Sequence, residues 1–112
     1  MTPPAGTFIG PVRNGALRIP PPMKRYCDAE NWTLFRFDVV DKDHLTMHPV
    51  LPHDPGVDFH ASLSPDGLLW IPAALRKSVE LGEQSVMLRI EEGAIHVYLR
   101  KVFETLGFRP GY

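Results

Sequence analysis

"GLLWIPAALRKSVELGEQSVMLRIEEGAIHVY", residues 67–98, decides the fold of this chain. A glycine turn leads into a short apolar strand, and Pro72 then opens a helix over about residues 72–79. Proline fits there because its missing amide proton is one the first helical turn leaves unpaired anyway. Beyond the helix, Val86, Leu88 and Ile90 alternate with Met87, Arg89 and Glu91. Ile95, Val97 and Leu99 likewise alternate with His96, Tyr98 and Arg100. A period of two over both runs predicts a half-buried antiparallel hairpin.

The same design stands earlier in the chain. In "NGALRIPPPMKRYCDAENWTLF", residues 14–35, Gly15 aligns with Gly67, Ile19 with Ile71 and Pro20 with Pro72. Met23 then matches Leu75, Lys24 matches Arg76, Arg25 matches Lys77, Cys27 matches Val79 and Leu34 matches Val86. Each copy reads as a short strand (about residues 7–10 and 59–63), an Asn-Gly or Asp-Gly turn, a second strand, a short helix (20–27 and 72–79) and a hairpin. The hairpin turn of "VVDKDHLTMH" is longer than that of "IEEGAIHVYL", and turns are where length differences are tolerated. "HPVLPHDPGVD" has the proline and glycine content of a linker. "LRKVFETLG" places Val102, Phe103 and Leu106 at helical spacing before Gly107. The expected organisation is one domain over 1–112: a first repeat at 7–48, a proline-rich linker at 49–58, a second repeat at 59–99 and a C-terminal helix at 100–107.

Composition narrows the function classes. Twelve Lys and Arg against 13 Asp and Glu give a net charge of −1, so any nucleic-acid contact must come from local clustering of cations. Cys27 is the single cysteine, which rules out an intramolecular disulfide. No run approaches the ~18 apolar residues that span a bilayer, and "MTPPAGTFIG" has neither a basic start nor a long apolar run. A cytoplasmic protein without membrane contact is the expectation.

The strand pair, glycine turn, "IPAALR" element and second hairpin resemble the SpoVT/AbrB-like swapped-hairpin family, and two copies in one chain look most like its MraZ members. "GLLWIPAALRKSVELGEQSVMLRIEEGAIHVY" carries most of this likeness, "GALRIPPPMKRYC" is a degenerate version of it, and together they cover about residues 7–99. The resemblance implies a mainly β fold: a small pseudo-twofold swapped-hairpin β-barrel in which two βαββ-like repeats interlock. It also implies DNA binding and transcription regulation by a homo-oligomer. In the family pattern, Asp-x-x-Gly-Arg precedes Ile-Pro and its arginine contacts DNA. Here the arginine position holds Ala16 and Leu68, and the aspartate position holds Val12 and Ser64.

Two non-enzymatic functions therefore compete. In the leading one, Arg13, Arg18, Lys24, Arg25, Arg76 and Lys77, at corresponding turn, strand and helix positions, gather along one groove and contact DNA phosphates. In the other, the barrel is a protein-interaction or structural module that has lost its DNA surface. If Leu69 and Ile71 face the core, Leu68 and Trp70 face outward as its contact residues. Chemistry finds little support. Cys27 sits at an apolar helix position, and Ser64 and Ser85 lack a matched histidine and carboxylate. His44 and His48 on one strand would lie about 13 Å apart at ~3.3 Å per residue, too far for one ion. Only His53, Asp54, Asp58 and His60 could converge through a loop, and no metal motif requires it. No catalytic residue, cofactor or metal is assigned. Tyr26 and Trp32 read as aromatics flanking the first helix, and "WTLFRF" reads as a central strand apolar on both faces.

Overall fold

A computed structural model describes residues 2–41, 43–50, 60–79 and 81–99. The strand β1 (Phe8–Arg13) turns at Asn14 and Gly15 into β2 (Ala16–Arg18), which leads to the helix α1 (Pro21–Ala29). The hairpin β3 (Leu34–Asp41) and β4 (His44–Pro49) completes the first copy. The second copy follows the same order: β5 (His60–Ser62), β6 (Leu68–Trp70), α2 (Ala73–Ser78), β7 (Gln84–Glu91) and β8 (Ala94–Tyr98).

Local chemistry sets these boundaries. Asn14 and Gly15 have φ of +53° and +81°, the paired left-handed geometry of a tight hairpin, and Glu92 and Gly93 repeat it at +53° and +72°. Pro20 and Pro72 are the helix N-caps, so each helix begins one residue later than its proline suggested. Asn31, at φ +59°, stops α1, and the next amide, Trp32 N, donates back to the Cys27 carbonyl at 2.8 Å.

The eight strands form one antiparallel sheet in the order β5-β3-β4-β8-β7-β1-β2-β6. Its two edges meet: Leu63 bridges Leu69, and Ser64 N donates to the Leu68 carbonyl at 2.8 Å, leaving a nearly closed barrel. The halves exchange strands. β1 of the first copy pairs with β7 of the second, and β5 of the second pairs with β3 of the first. A pseudo-twofold axis passes through β2–β6, at Leu17↔Leu69, and through β4–β8, at Thr46↔His96. Reciprocal backbone bonds mark it: Ile19 N donates to the Gly67 carbonyl at 2.8 Å and Ile71 N to the Gly15 carbonyl at 2.9 Å. The fold is thus mainly β, a swapped-hairpin barrel built from two βαββ-like units within one chain.

The core is continuous across both copies. Leu17, Leu69, Phe35, Val86, Leu88, Leu45, Met47, Ile95 and Val97 line the interior, and Met23 and Leu75 plug it from the two helices. Full burial of each such side chain is worth about 1.5–3 kcal/mol, and neither copy could cover its own apolar face alone. Gly10 sits where β1 passes the core. A Cβ there would come within 2.8 Å of both the Arg18 carbonyl oxygen and Leu88 Cδ1.

Several sequence expectations need correction. β1 runs on to Arg13, so Val12 is a core residue equivalent to Leu63, and the second glycine turn is one residue longer than the first. In β3 the inward residue is Phe35, fully buried, and Leu34 is half-buried on the other face, so Phe35 is the counterpart of Val86. β3 is therefore apolar inside and mixed outside, and Trp32 precedes it. Met87, on the outward phase of β7, is nevertheless only 6% exposed. β4 extends to Pro49, into the expected linker. Most of that linker and the expected helix at 100–107 lie outside the described residues.

Candidate functional site

The β1–β2–β6 ribbon carries the residues singled out from sequence. Because Leu17 and Leu69 point inward, their neighbours Ala16, Arg18, Leu68 and Trp70 occupy the outer face. Trp70 is 58% exposed, the most open of the large apolar residues described. It pairs with Ala16, while Leu68 pairs with Arg18. Arg13, also paired with Ala16, adds a second exposed guanidinium from β1. Together with Pro11 and Asn14, these five side chains border a shallow depression of about 220 Å³.

Its electrostatics are one-sided. Arg18 Nη1 donates to the backbone carbonyl of Asp66 at 3.4 Å, a contact that steadies the guanidinium without neutralising it. Neither Arg13 nor Arg18 forms an ion pair among the described residues. Glu83, which shares a neighbouring depression with Arg13, accepts the Asn14 amide on its Oε1 at 2.7 Å and holds the turn.

The other four expected cations do not join this face. Lys24 is paired with Asp28 on α1 and covers Gly67 of the other copy. Arg76 mirrors it: Nε donates to the Ile71 carbonyl at 3.1 Å, and the guanidinium lies over Gly15. Lys24 and Arg76 thus each cover the turn of the opposite repeat. Arg76 and Lys77 border a separate depression of about 310 Å³ beside Leu81 and Gly82. Arg25 is exposed on α1. The single groove expected to gather all six is not formed; Arg13 and Arg18 stand together with Leu68 and Trp70.

On the opposite side of the barrel lies a second cluster that spacing along the chain does not reveal. The partner of His44 is not His48 but His96 across the β4–β8 pair, with Nε2 and Nδ1 3.0 Å apart. Tyr98 stacks on His44 at 4.4 Å between ring centroids. Burial, then the neighbouring His96, pushes the His44 pKa down, against an opposing pull from Asp41. His48 instead contacts Thr46 Oγ1 at 3.1 Å and Asp38 at 3.2 Å. The signal was present in the repeat: aligning the two hairpins about a twofold axis sets Thr46 against His96 and His44 against Tyr98.

Among the described residues no group of three or more His, Cys, Asp or Glu is arranged to hold a metal ion. His60 is exposed on β5, and His53, Asp54 and Asp58 lie outside the described residues. Cys27 is fully buried, and burial, reinforced by Asp28, pushes its thiol up to about 11. At neutral pH it is a packed thiol without nucleophilic character. Ser64 Oγ accepts the Leu68 amide at 3.0 Å and so serves the second turn. No helix among the described residues is long and apolar enough to cross a membrane.

No protein-family model matches this chain, and no curated protein matches it.

Proposed function

We propose that this protein is a DNA-binding transcriptional regulator of the AbrB/MraZ-like kind that works as a cytoplasmic homo-oligomer. The observation carrying the reading is the pair Arg13 and Arg18, exposed on one outer face of a swapped-hairpin barrel and free of carboxylate partners among the described residues. Guanidiniums on adjacent strands suit the phosphates of a duplex, which supply most of the affinity in such complexes and make it salt-dependent. With only two such cations on this face, one copy binds weakly. Oligomerisation supplies the multivalency that makes binding tight.

Fluorescence anisotropy tests the proposal, using a labelled duplex from the gene's own upstream region and a scrambled one at two salt concentrations. Binding should weaken steeply with salt. Replacing both Arg13 and Arg18 by alanine should lower the log–log salt slope by about 2 for each copy engaged, roughly one for each phosphate no longer neutralised. Unchanged binding in that variant would remove the assignment.

A second reading, a protein-interaction module, is favoured by the exposure of Trp70 beside Leu68, since exposed tryptophan is enriched at binding hot spots. On that reading Trp70→Asp should dissolve an assembly seen by light scattering, and the unsubstituted protein should bind no duplex even at low salt.

A further inference from the structure

We infer that the depression bordered by Trp70, Arg13 and Arg18 is a binding site for one unpaired nucleotide of a single-stranded nucleic acid, with the base stacked on the Trp70 indole and its phosphates held by the two guanidiniums. This rests on the nucleic-acid reading above and extends it from phosphates to a base.

Shape points to a single base. At about 220 Å³ the depression is below the roughly 300–1,000 Å³ of pockets for drug-sized ligands, a scale that suits one planar ring. Trp70 presents a side chain more than half exposed, and its cross-strand partner, the small and buried Ala16, is part of the lining of the depression beside it. In a duplex each base face is already covered by its neighbours. An unpaired nucleotide offers a free face, and exposed aromatics on a cationic sheet surface are how proteins hold single strands.

Charge points the same way. The depression is bordered by two guanidiniums and no carboxylate. Arg13 and Arg18 come from adjacent strands, β1 and β2, and so flank a passing backbone with one guanidinium each. A free nucleoside polyphosphate calls for a converging cradle of backbone amides. Here the amides of Leu17 and Leu69 lie within the paired strands, and Pro11 has none to give. One phosphodiester charge at a time, as a strand supplies, is the better match.

The protein carries its own reporter. Trp32 is half-buried and edge-on to Tyr26 and Phe35, so a ligand-dependent change in indole fluorescence is assigned to Trp70 by its loss in Trp70→Phe. The full chain is titrated with oligo-dT of ten nucleotides, with the dT·dA duplex of equal length and with thymidine monophosphate, following tryptophan emission and the anisotropy of labelled strands. Saturable quenching by the single strand is expected, with tighter binding than for duplex or mononucleotide. Trp70→Ala should weaken single-strand binding roughly 5- to 150-fold, and Trp70→Phe should restore part of it. Arg18→Ala should lower the salt slope by about 0.7.

An unchanged affinity in Trp70→Ala and Trp70→Phe, or a duplex bound as tightly as the single strand, overturns the inference. A mononucleotide bound as tightly as the strand overturns the strand form of it. If single-strand binding is absent while duplex binding remains sensitive to Arg13 and Arg18, this inference falls and the proposed function stands. Binding of neither the single strand nor the upstream-region duplex removes both.

Discussion

Cys27 and His44 set opposite limits on the pH range of stability. The buried Cys27 thiol is raised from its ordinary 9.0 to about 11, so its contribution is complete below pH 9 and is lost as pH rises through 11. His44 is lowered from 6.5, so the folded state resists its protonation. That contribution is complete above pH 6.5 and is lost as pH falls through the depressed value. The urea midpoint should therefore plateau between about pH 6.5 and 9 and fall on either side. His44→Gln should flatten the acid limb, and an unaltered limb would assign it to other groups. Gly10 makes a purely steric prediction. Gly10→Ala puts a methyl against the backbone oxygen of Arg18, which cannot swing away as a side chain can. A loss of about 1–3 kcal/mol in denaturant titrations is expected.

Among the elements, the β1–β2 and β7–β8 turns share one backbone geometry but carry different loads. Gly15 lies at φ +81° beneath the Arg76 guanidinium, 3.0 Å from where a Cβ would stand, and Arg76 is itself tied to Ile71. Gly93 has a similar φ, +72°, with nothing near it. Gly15→Ala should cost more than Gly93→Ala in thermal melts, the latter measuring strain alone at about 1–2 kcal/mol. Equal costs would mean that Arg76 yields freely. The elements themselves were legible in sequence because glycine turns, helix-opening prolines and period-two alternation are local signals: Leu69 and Ile71 point inward and Trp70 outward as read. Phase across the turns was not legible. The longer second turn makes Leu63, rather than Ser64, the counterpart of Val12, and one extra residue in the stretch from α1 to β3 makes Phe35, rather than Leu34, the counterpart of Val86. Nor could spacing reveal that Lys24 and Arg76 serve the opposite repeat's turn, because that contact exists only after the halves interlock.

For the whole molecule, reciprocal pairing of β1 with β7 and β5 with β3 joins both copies to one core. Heating should give a single transition, with far-ultraviolet circular dichroism and Trp32 fluorescence losing signal together. Separate midpoints would show that the copies unfold independently. The composition concealed what the fold reveals about charge: a net −1 coexists with a face where two arginines and a tryptophan border one depression.

Reciprocal exchange also constrains how the chain is made. β1 leaves the ribosome well before its long-range partner β7, which ends at Glu91. At about 5–20 residues per second, the N-terminal strand waits several seconds for an edge to join. The barrel closes only once β7 and β8 have been made, through pairings distant in sequence that are intrinsically slow to find. During that wait, β7 of a neighbouring nascent chain is chemically the same partner as the chain's own. Crowded polysomes should therefore yield intertwined dimers, and slowing translation initiation, which spaces the chains apart, should favour the closed monomeric barrel.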